Sequence, residues 1–462
     1  MGDAVSAAEY SVVMPGEVDI ALQSHLTRAD GQEDICFALW APSTGQIRKT
    51  AIVREVLLPG RGDRDVHGNV SFNAPYFQRA IAEAMQKGLG ISLLHSHPLG
   101  RGWQGMSLDD VETERAIAAP TFGATELPLL GMTLSGDGKW SARFWNKVAP
   151  REYVRNWCRS VRVVGDSLGI GFNPALAKVV EATDQQIRTV SSWGPEVQAD
   201  LARMRFCIVG AGSVGGFIAE ALARMGARFI YLIDFDHVGT HNLDRLCYAN
   251  KRDVGQFKVE VLDRYLRIIA TSDTFESVPI IKSVADPEEL KAALDCDVTF
   301  SCVDRPWGRH ILNQIAYAHL IPVIDGGISI RVGKNQTLKA ADWRSHVATV
   351  GRKCLCCLGQ YNTGMVQSER EGLLDDPKYI NGLPDGHPFK SRENVFAFSM
   401  ACASDMMLQF LAYFVNPVGY SNMGARVTHF VGGRQDDPDF ESCEPNCFFA
   451  AAIGNGARTL IC

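Results

Sequence analysis

The chain has 462 residues, which at about 150 residues per domain predicts two or three domains and excludes a single small module. Hydrophobic residues make up 46% and charged residues 21%, a composition that is ordinary for a globular protein and excludes a disordered or collagen-like chain. The formal net charge of -6 excludes a general basic field, so we expect neither nucleic acid nor a membrane among the partners.

The sequence also argues against insertion into a membrane and against secretion. No run approaches the roughly 18 uninterrupted apolar residues of a spanning helix. The N-terminal sequence MGDAVSAAEY lacks the cationic and apolar regions of a signal peptide, so we expect a cytoplasmic protein. The 13 cysteines of such a chain predict buried thiols with a few metal ligands or nucleophiles, and not a disulfide framework.

The first predicted unit spans residues 1–150 and is an α+β domain. Within it, an amphipathic stretch near residues 76–87 and another starting at Ser107 predict two helices. Five apolar runs predict strands: ICFALW, TAIVREVLL, ISLLH, LPLLGMTL and WSARFW. Residues 151–204 follow as a predicted helical connector, with helices over residues 151–164 and 174–188.

The second predicted unit spans residues 205–462 and is α/β in class. Its strand, glycine turn, helix and strand order predicts a mostly parallel, Rossmann-like sheet with helices on both faces. Residues 359–392 are polar and rich in Gly, Pro and Asp, which predicts a long mobile loop. The segment FSMACASDMMLQFLAYF then predicts a buried helix.

A candidate metal site lies in the segment LLHSHPLGRGWQGMSLDD. His95 and His97 stand two apart at a strand end, so both side chains leave the same face of the strand. Asp110 follows at a helix start and adds a carboxylate ligand. Three such ligands leave one position for water, as in a catalytic zinc site. The alternative is a plain histidine pair beside Ser107 as a helix N-cap.

The pattern His-x-His-Pro followed by Ser-x-x-Asp resembles the JAB/JAMM metalloproteases, over about residues 10–150. The resemblance implies an MPN-like domain that binds catalytic zinc and cleaves bonds after the C-terminal glycine of ubiquitin-like proteins. It also implies that Glu33, directly before ICFALW, is the general base, with Glu17 and Glu55 as competitors. Ser107 would stabilise the oxyanion.

A candidate nucleotide site begins in IVGAGSVGG, where Gly210, Gly212 and Gly215 form G-x-G-x-x-G between a strand and a helix. Asp234 ends the next strand and suits a ribose hydroxyl of either NAD or ATP. Three phosphate-binding side chains then follow within a short stretch, which favours a site that breaks a triphosphate: Asn242, Arg245 and Lys258.

The sequence pattern D-x-D-x-V-x-x-x-N-L-x-R, followed by G-x-x-K and by Ser-Cys-Val-Asp304, resembles that of the adenylating enzymes of the ThiF and MoeB group, over about residues 180–440. The resemblance implies that Asp234 binds the ribose and that Asp304 binds magnesium. It assigns the phosphates of ATP to Asn242, Arg245 and Lys258, with the latter two acting in catalysis. It further implies a homodimer that adenylates the C-terminal glycine of a ubiquitin-like protein.

Two positions depart from that family pattern. Gln185 stands where an arginine reaching the partner subunit is expected, although Arg188 lies one helical turn away. Residues 358–401 contain no cysteine, whereas relatives that form a thioester draw one from this segment. A thioester would then need Cys356, Cys402 or another thiol, or the adenylate passes directly to an acceptor.

Four further cysteines predict a structural zinc site, which would join the crossover region to the C-terminal lobe: Cys354, Cys357, Cys443 and Cys447. The family form is a pair of Cys-x-x-Cys elements, and the second element here has one extra residue.

The two resemblances together predict a dual-activity protein. The C-terminal unit would activate a ubiquitin-like protein, and the N-terminal zinc peptidase would mature this carrier or cleave its conjugates, with a conjugating enzyme as a further partner. The alternative is sulfur-carrier activation and processing in cofactor or amino-acid biosynthesis, with a sulfur donor as the partner. A dehydrogenase with a bound metal and a catalytically silent scaffold are the remaining hypotheses.

Overall fold

The structure is a computed structural model that describes residues 8–67, 69–383, 393–419 and 422–459. Within the described residues, eleven strands precede residue 173: β1 (Glu9–Pro15), β2 (Ile35–Thr44), β3 (Arg48–Leu57), β4 (Arg64–His67), β5 (Asn69–Phe72), β6 (Gly90–His97), β7 (Leu129–Ser135), β8 (Trp140–Ala149), β9 (Glu152–Trp157), β10 (Ser160–Val164) and β11 (Leu168–Phe172). Three helices accompany them: α1 (Gly16–Leu26), α2 (Ala74–Lys87) and α3 (Leu108–Thr125).

These strands form a nine-stranded sheet in the order β11-β10-β1-β3-β2-β6-β7-β8-β9, with β4 and β5 as a separate hairpin. The five strands and two helices predicted between residues 33 and 146 are confirmed. Local capping explains both helix starts, because the side chains of Asn73 and Ser107 accept backbone N–H groups of α2 and α3.

The helical connector predicted for residues 151–204 is wrong in its first half. Residues 151–164 contain β9 and β10, and β10 pairs in parallel with β1. The apolar spacing there fits a helix as well as a strand, but the β-branched run after Ser160 favours a strand, and β1 supplies the partner. Residues 174–186 carry no α-helix, and α4 (Ile187–Trp193) and α5 (Pro195–Arg203) follow.

The second sheet has eight strands: β12 (Arg205–Val209), β13 (Phe229–Ile233), β14 (Glu276–Ile280), β15 (Val298–Ser301), β16 (Val323–Val332), β17 (Leu338–Ala348), β18 (Arg426–His429) and β19 (Arg434–Gln435). Its helices are α6 (Ser213–Arg224), α7 (Lys258–Ile269), α8 (Pro287–Leu294), α9 (Pro306–Ala318), α10 (Thr363–Arg370), α11 (Pro377–Gly382), α12 (Phe396–Val415) and α13 (Phe448–Ala451).

The strand order is β14-β13-β12-β15-β16-β17-β18-β19, parallel from β14 to β16 and antiparallel beyond. The mostly parallel sheet is therefore confirmed, and the antiparallel extension was not predicted. The long loop predicted over residues 359–392 is wrong where α10 and α11 form, because Asn362 and Asp376 cap these helices. Residues 384–392 of that prediction lie outside the described residues.

Helix α12 is long and apolar enough to cross a membrane by length and composition, and half of it is buried inside the fold. Its buried residues include Cys402, Met406 and Phe410, which belong to the core that also contains β12 and β15. Two polar side chains on the helix are hydrogen-bonded, since Asp405 accepts from Trp343 and Gln409 donates to Gly424. These contacts are those of a core helix, as the sequence predicted.

The two sheets meet at buried charges. The Asp297 carboxylate accepts a 2.7 Å hydrogen bond from Arg48 and lies 3.7 Å from Arg162, and all three side chains are almost fully buried. Burial raises the pKa of the Asp297 carboxyl, but the charges of Arg48 and Arg162 outweigh it and hold the pKa well below its usual range. Beside this group, Asp295 accepts the backbone N–H groups of Ile47 and Arg48.

Replacing Asp297 by asparagine leaves two buried guanidinium groups without their carboxylate. We expect Asp297→Asn to lower the free energy of unfolding by about 3–5 kcal/mol, measured by urea denaturation. Because the pKa of Asp297 is depressed in the folded state, its carboxylate stabilises the wild-type protein above about pH 4, and this stabilisation is lost as the pH falls further. The Asp297→Asn variant should not show this loss.

The control for this prediction is Glu288→Gln, which removes an exposed carboxylate paired with Lys291. It should change the free energy of unfolding by less than about 0.5 kcal/mol. An equal effect of the two variants would show that the junction does not depend on Asp297.

Candidate functional site

The predicted metal ligands of the N-terminal unit come together. His95 and His97 end β6, Asp110 lies in the first turn of α3, and their ligand atoms lie within 4.8 Å of one another. The two Nε2 atoms are 3.2 Å apart, and the Asp110 oxygens lie 3.4 Å from His95 and 3.5 Å from His97. Two imidazoles and one carboxylate in this arrangement suit a zinc ion with one position left for water.

The charges of this cluster act on each other. Burial raises the pKa of the Asp110 carboxyl, but hydrogen bonds with His95 and His97 outweigh it and hold the pKa far below its usual range. The hydrogen bond with Asp110 raises the pKa of His97. The Asp110 carboxylate is therefore ionised, as a metal ligand has to be.

Ser107 fixes the direction of Asp110. Its Oγ accepts the N–H of Asp110 at 3.1 Å, while the Asp110 carboxylate accepts the N–H of Ser107 at 2.8 Å. This reciprocal capping box orients the ligand carboxylate from within its own helix turn. The Ser107 hydroxyl keeps its own proton as a donor, as an oxyanion contact requires.

Glu33 lies beside the same cluster, in the segment directly before β2. Ile35 lies opposite His95 in the antiparallel pairing of β2 with β6, so Glu33 comes beside His97 two residues further along. Burial raises the pKa of the half-buried Glu33 carboxyl, and the charges of His97 and His95 act against this rise. The competitor Glu55 instead pairs with Lys87, and Glu17 lies in the first turn of α1.

Sequence analysis missed the neighbour of Glu33. Asp34 is buried, and its carboxylate accepts hydrogen bonds from Arg64 at 2.8 Å and from Arg28 at 3.3 Å. Its backbone N–H donates to Ser96 Oγ, and its carbonyl accepts the N–H of Ser96. Asp34 thus locks the segment of Glu33 against the segment of the two histidines. No sequence pattern marks it, because its partners Arg64 and Ser96 lie 30 and 62 residues further along the chain.

The glycine loop between β12 and α6 has the geometry of an anion site. Gly210 has a φ of +97°, and a Cβ there would lie 2.5 Å from the Cys302 carbonyl oxygen. A Cβ on Gly215 would lie 1.9 Å from the Gly210 carbonyl oxygen. A Cβ on Gly212 would meet nothing within 4 Å, so the space before the N-terminus of α6 is open to a phosphate.

Asp234 lies at the end of β13 beside this loop. Its carboxylate accepts the N–H groups of Ala211 at 2.7 Å and of Asp236 at 2.8 Å. Burial raises the pKa of Asp234, and the charge of Lys258 acts in the opposite direction. The carboxylate is thus tied to the glycine loop, where a ribose hydroxyl would reach it.

The predicted phosphate-binding residues lie on the turn after β13 and at the start of α7. Lys258 Nζ lies 2.6 Å from the Asp236 carboxylate, a partner that sequence analysis did not assign to it. Arg245 donates to the His241 carbonyl at 2.6 Å, and Asn242 accepts the N–H of Gly239 at 2.9 Å. In this structure these three side chains are held by neighbouring protein groups.

Asp304 follows β15 and is exposed. Because β12 lies between β13 and β15, the glycine loop, Asp234 and Asp304 follow three adjacent parallel strands at one edge of the sheet. The strands that follow β12 in sequence lie on both sides of it, with β13 on one side and β15 on the other. In open α/β sheets, ligands bind at the carboxyl ends of the strands where the strand order changes direction in this way. The predicted nucleotide residues are therefore brought to one edge.

Gln185 and Arg188 are both exposed, in the segment before α5. The buried residue of this segment is Gln186, which donates to Thr271. Whether an arginine from here serves a partner subunit stays a prediction.

The four cysteines predicted to bind a structural zinc also come together, within 4.8 Å of one another. The sulfurs of Cys354 and Cys447 are 3.7 Å apart, close to the sulfur separation of about 3.8 Å in a tetrahedral site with zinc–sulfur bonds of about 2.3 Å. A hydrogen bond with Cys443 is the main cause that lowers the pKa of Cys354 to about 5. Burial raises the pKa of the neighbouring Cys356 thiol, and Cys402 is a core residue.

The ThiF family model matches residues 183–415, which are half of the chain and include the glycine loop, Asp234, Lys258 and Asp304. Among curated proteins, the chain is 33% identical over 132 residues to tRNA threonylcarbamoyladenosine dehydratase 2 of Saccharomyces cerevisiae, covering 28% of this chain and 30% of that protein. It is 32% identical over 127 residues to adenylyltransferase and sulfurtransferase uba4 of Aspergillus clavatus, covering 28% and 25%.

The molybdopterin-synthase adenylyltransferase of Escherichia coli is 28% identical over 165 residues, covering 35% of this chain and 61% of that protein. The chain thus spans less than two thirds of the length of these relatives. Among solved structures, E. coli MccB with ATP is 17% identical, with a TM-score of 0.43 and coverage of 58% of this chain and 74% of that one. The match of the family model to half of the chain shows that this protein belongs to the ThiF family.

Proposed function

We propose that the ThiF-family half of the chain adenylates a substrate carboxylate with ATP. The observation that carries this proposal is the meeting of an open glycine loop, Asp234, Lys258 and the exposed Asp304 at one edge of the parallel sheet. A triphosphate needs cations and a metal-binding carboxylate beside it, and these residues supply both. A dehydrogenase has no use for that combination.

Each residue has a distinct task in this reaction. The N-terminus of α6, open at Gly212, binds phosphate oxygens, and Asp234 accepts a ribose hydroxyl. Lys258, with Arg245 and Asn242, moves from its protein partners to the phosphates. Asp304 would hold magnesium, which would offset the negative charge that develops on the leaving pyrophosphate. The substrate carboxylate attacks the α-phosphorus and the bond to pyrophosphate breaks.

The substrate we propose is the C-terminal glycine of a sulfur-carrier or ubiquitin-like protein, bound by a homodimer. Sulfur-carrier activation is favoured, because one relative is named an adenylyltransferase and sulfurtransferase and another a molybdopterin-synthase adenylyltransferase. Residues 358–401 also contain no cysteine for a thioester. Intact-mass analysis of a candidate carrier with this protein, ATP and a sulfur donor decides: a thiocarboxylate supports this assignment, and a protein conjugate supports the conjugation alternative.

We further propose that the N-terminal unit is a zinc peptidase of JAB/JAMM type that processes the same carrier. The support is the His95, His97 and Asp110 cluster with Glu33 beside it. Bound zinc supplies a water with a pKa of about 7. Glu33 accepts the proton of the water as this water attacks the substrate carbonyl, and Ser107 donates a hydrogen bond to the oxyanion that forms.

The Cys354, Cys357, Cys443 and Cys447 cluster is proposed as a structural zinc site. A closed set of four thiolates leaves no open position for a substrate, so this metal would act in folding alone.

Removal of a phosphate-binding cation should abolish adenylation. We expect Lys258→Ala to lower carrier-dependent exchange of pyrophosphate into ATP by about a hundredfold or more, since charge on the leaving group is then not offset. The control is Lys291→Ala, which removes an exposed cation of α8. Equal exchange by both variants would contradict the role of Lys258.

The general base should be separable from the metal. We expect Glu33→Gln to retain zinc while cleavage of a carrier fusion falls by about a hundredfold or more. Glu55→Gln is the matched control, because Glu55 pairs with Lys87 away from the histidines. Full cleavage by Glu33→Gln would exclude Glu33 as the base.

The two zinc sites should lose their metal independently. By elemental analysis of the purified chain, we expect His97→Ala to remove the zinc of one cluster and Cys443→Ser that of the other, since each variant deletes a ligand. Cys356→Ser should keep both, as Cys356 lies outside the cluster. A loss of zinc from Cys356→Ser alone would instead identify Cys356 as a ligand.

A further inference from the structure

A buried carboxylate lies behind the loop that carries Asp304. Asp325, in β16, has no exposed surface. One of its oxygens accepts hydrogen bonds from Ser301 Oγ at 2.6 Å and from Arg309 Nε at 3.0 Å, and the other pairs with Arg344. Its partners come from β15, α9 and β17, so hydrogen bonds from three elements hold the Asp325 carboxylate in place.

Arg309 connects the Asp325 carboxylate to the loop that carries Asp304. Its Nη2 donates to the Val303 carbonyl at 2.7 Å, and Val303 directly precedes Asp304. Because the guanidinium is planar and rigid, the contact with Asp325 through Nε sets the direction in which Nη2 holds the carbonyl. A lysine has one terminal nitrogen and cannot reproduce this fork.

The other side of the loop is closed by the glycine loop. The Cys302 carbonyl oxygen packs against Gly210, where a Cβ would lie 2.5 Å away. The backbone before Asp304 is therefore clamped between Gly210 and Arg309, whereas Asp304 itself is exposed. Such a clamp holds the backbone of a residue and leaves its carboxylate free for a ligand.

We propose that Arg309, oriented by Asp325, is a positioning residue that aims the Asp304 carboxylate at the divalent cation accompanying the nucleotide. This inference rests on the proposed adenylation site. The competing explanation is that Arg309 only neutralises Asp325. Arg344 separates the two explanations, because it pairs with the same carboxylate from β17, and its described side-chain hydrogen bond goes to Asp325.

The test measures Mn²⁺ binding by electron paramagnetic resonance, with the full chain and a non-hydrolysable ATP analogue. We expect Arg309→Met and Arg309→Lys each to weaken Mn²⁺ binding by about tenfold or more, and Arg344→Met by less than about threefold. Affinity for the analogue without metal should stay the same in the Arg309 and Arg344 variants. Adding Arg309→Met to Asp304→Asn should weaken Mn²⁺ binding no further than Asp304→Asn alone.

Arg309→Lys keeps a buried positive charge and so carries the test if the methionine variant does not fold. Equal losses in Arg309→Met and Arg344→Met, or full Mn²⁺ affinity in Arg309→Lys, would show that only charge neutralisation matters and would overturn the proposal. Failure of the wild-type chain to bind the analogue with Mn²⁺ would instead overturn the adenylation site itself.

Discussion

The arrangement of both candidate sites depends on the Asp297 carboxylate and the two guanidinium groups around it. Asp297 precedes β15 of the second sheet, while Arg48 begins β3 and Arg162 lies in β10 of the first. Separating the sheets would leave these charges unpaired, and a continuous apolar core containing residues of both sheets would open as well. The chain is therefore built around a junction and not around a flexible linker.

Strands that start or end at this junction have their other ends at the two candidate sites. β2 ends at the junction and begins next to Glu33. Its ten residues span about 33 Å, so the His95, His97 and Asp110 cluster lies about that far from the junction along the strand. β12 and β15 begin at the junction and end at the glycine loop and Asp304. Each site thus lies at strand ends that point away from the junction.

The sequence predicts what is local in both sites. The spacing of His95, His97 and Asp110 and of the glycines before α6 reflects short-range geometry, so the sequence correctly predicted that these residues lie together. Contacts over long separations were not predictable. The sequence pattern of β10 fits a helix as well as a strand, and pairing with β1 decides for the strand. Likewise, the role of Asp297 depends on Arg48, which lies in a distant part of the sequence.

The same distinction explains why the supporting acids escaped sequence analysis, although the acids that we propose to be reactive did not. Glu33 and Asp304 each carry a partly or fully exposed carboxylate, and each is backed by a buried one, Asp34 or Asp325. A buried carboxylate is stable only when several donors surround it, and those donors bring separate elements to one point. The reactive acid needs the opposite, an incomplete set of partners that a metal or substrate can complete. Both kinds look alike in sequence, and they differ only in the donors that the fold assembles around them.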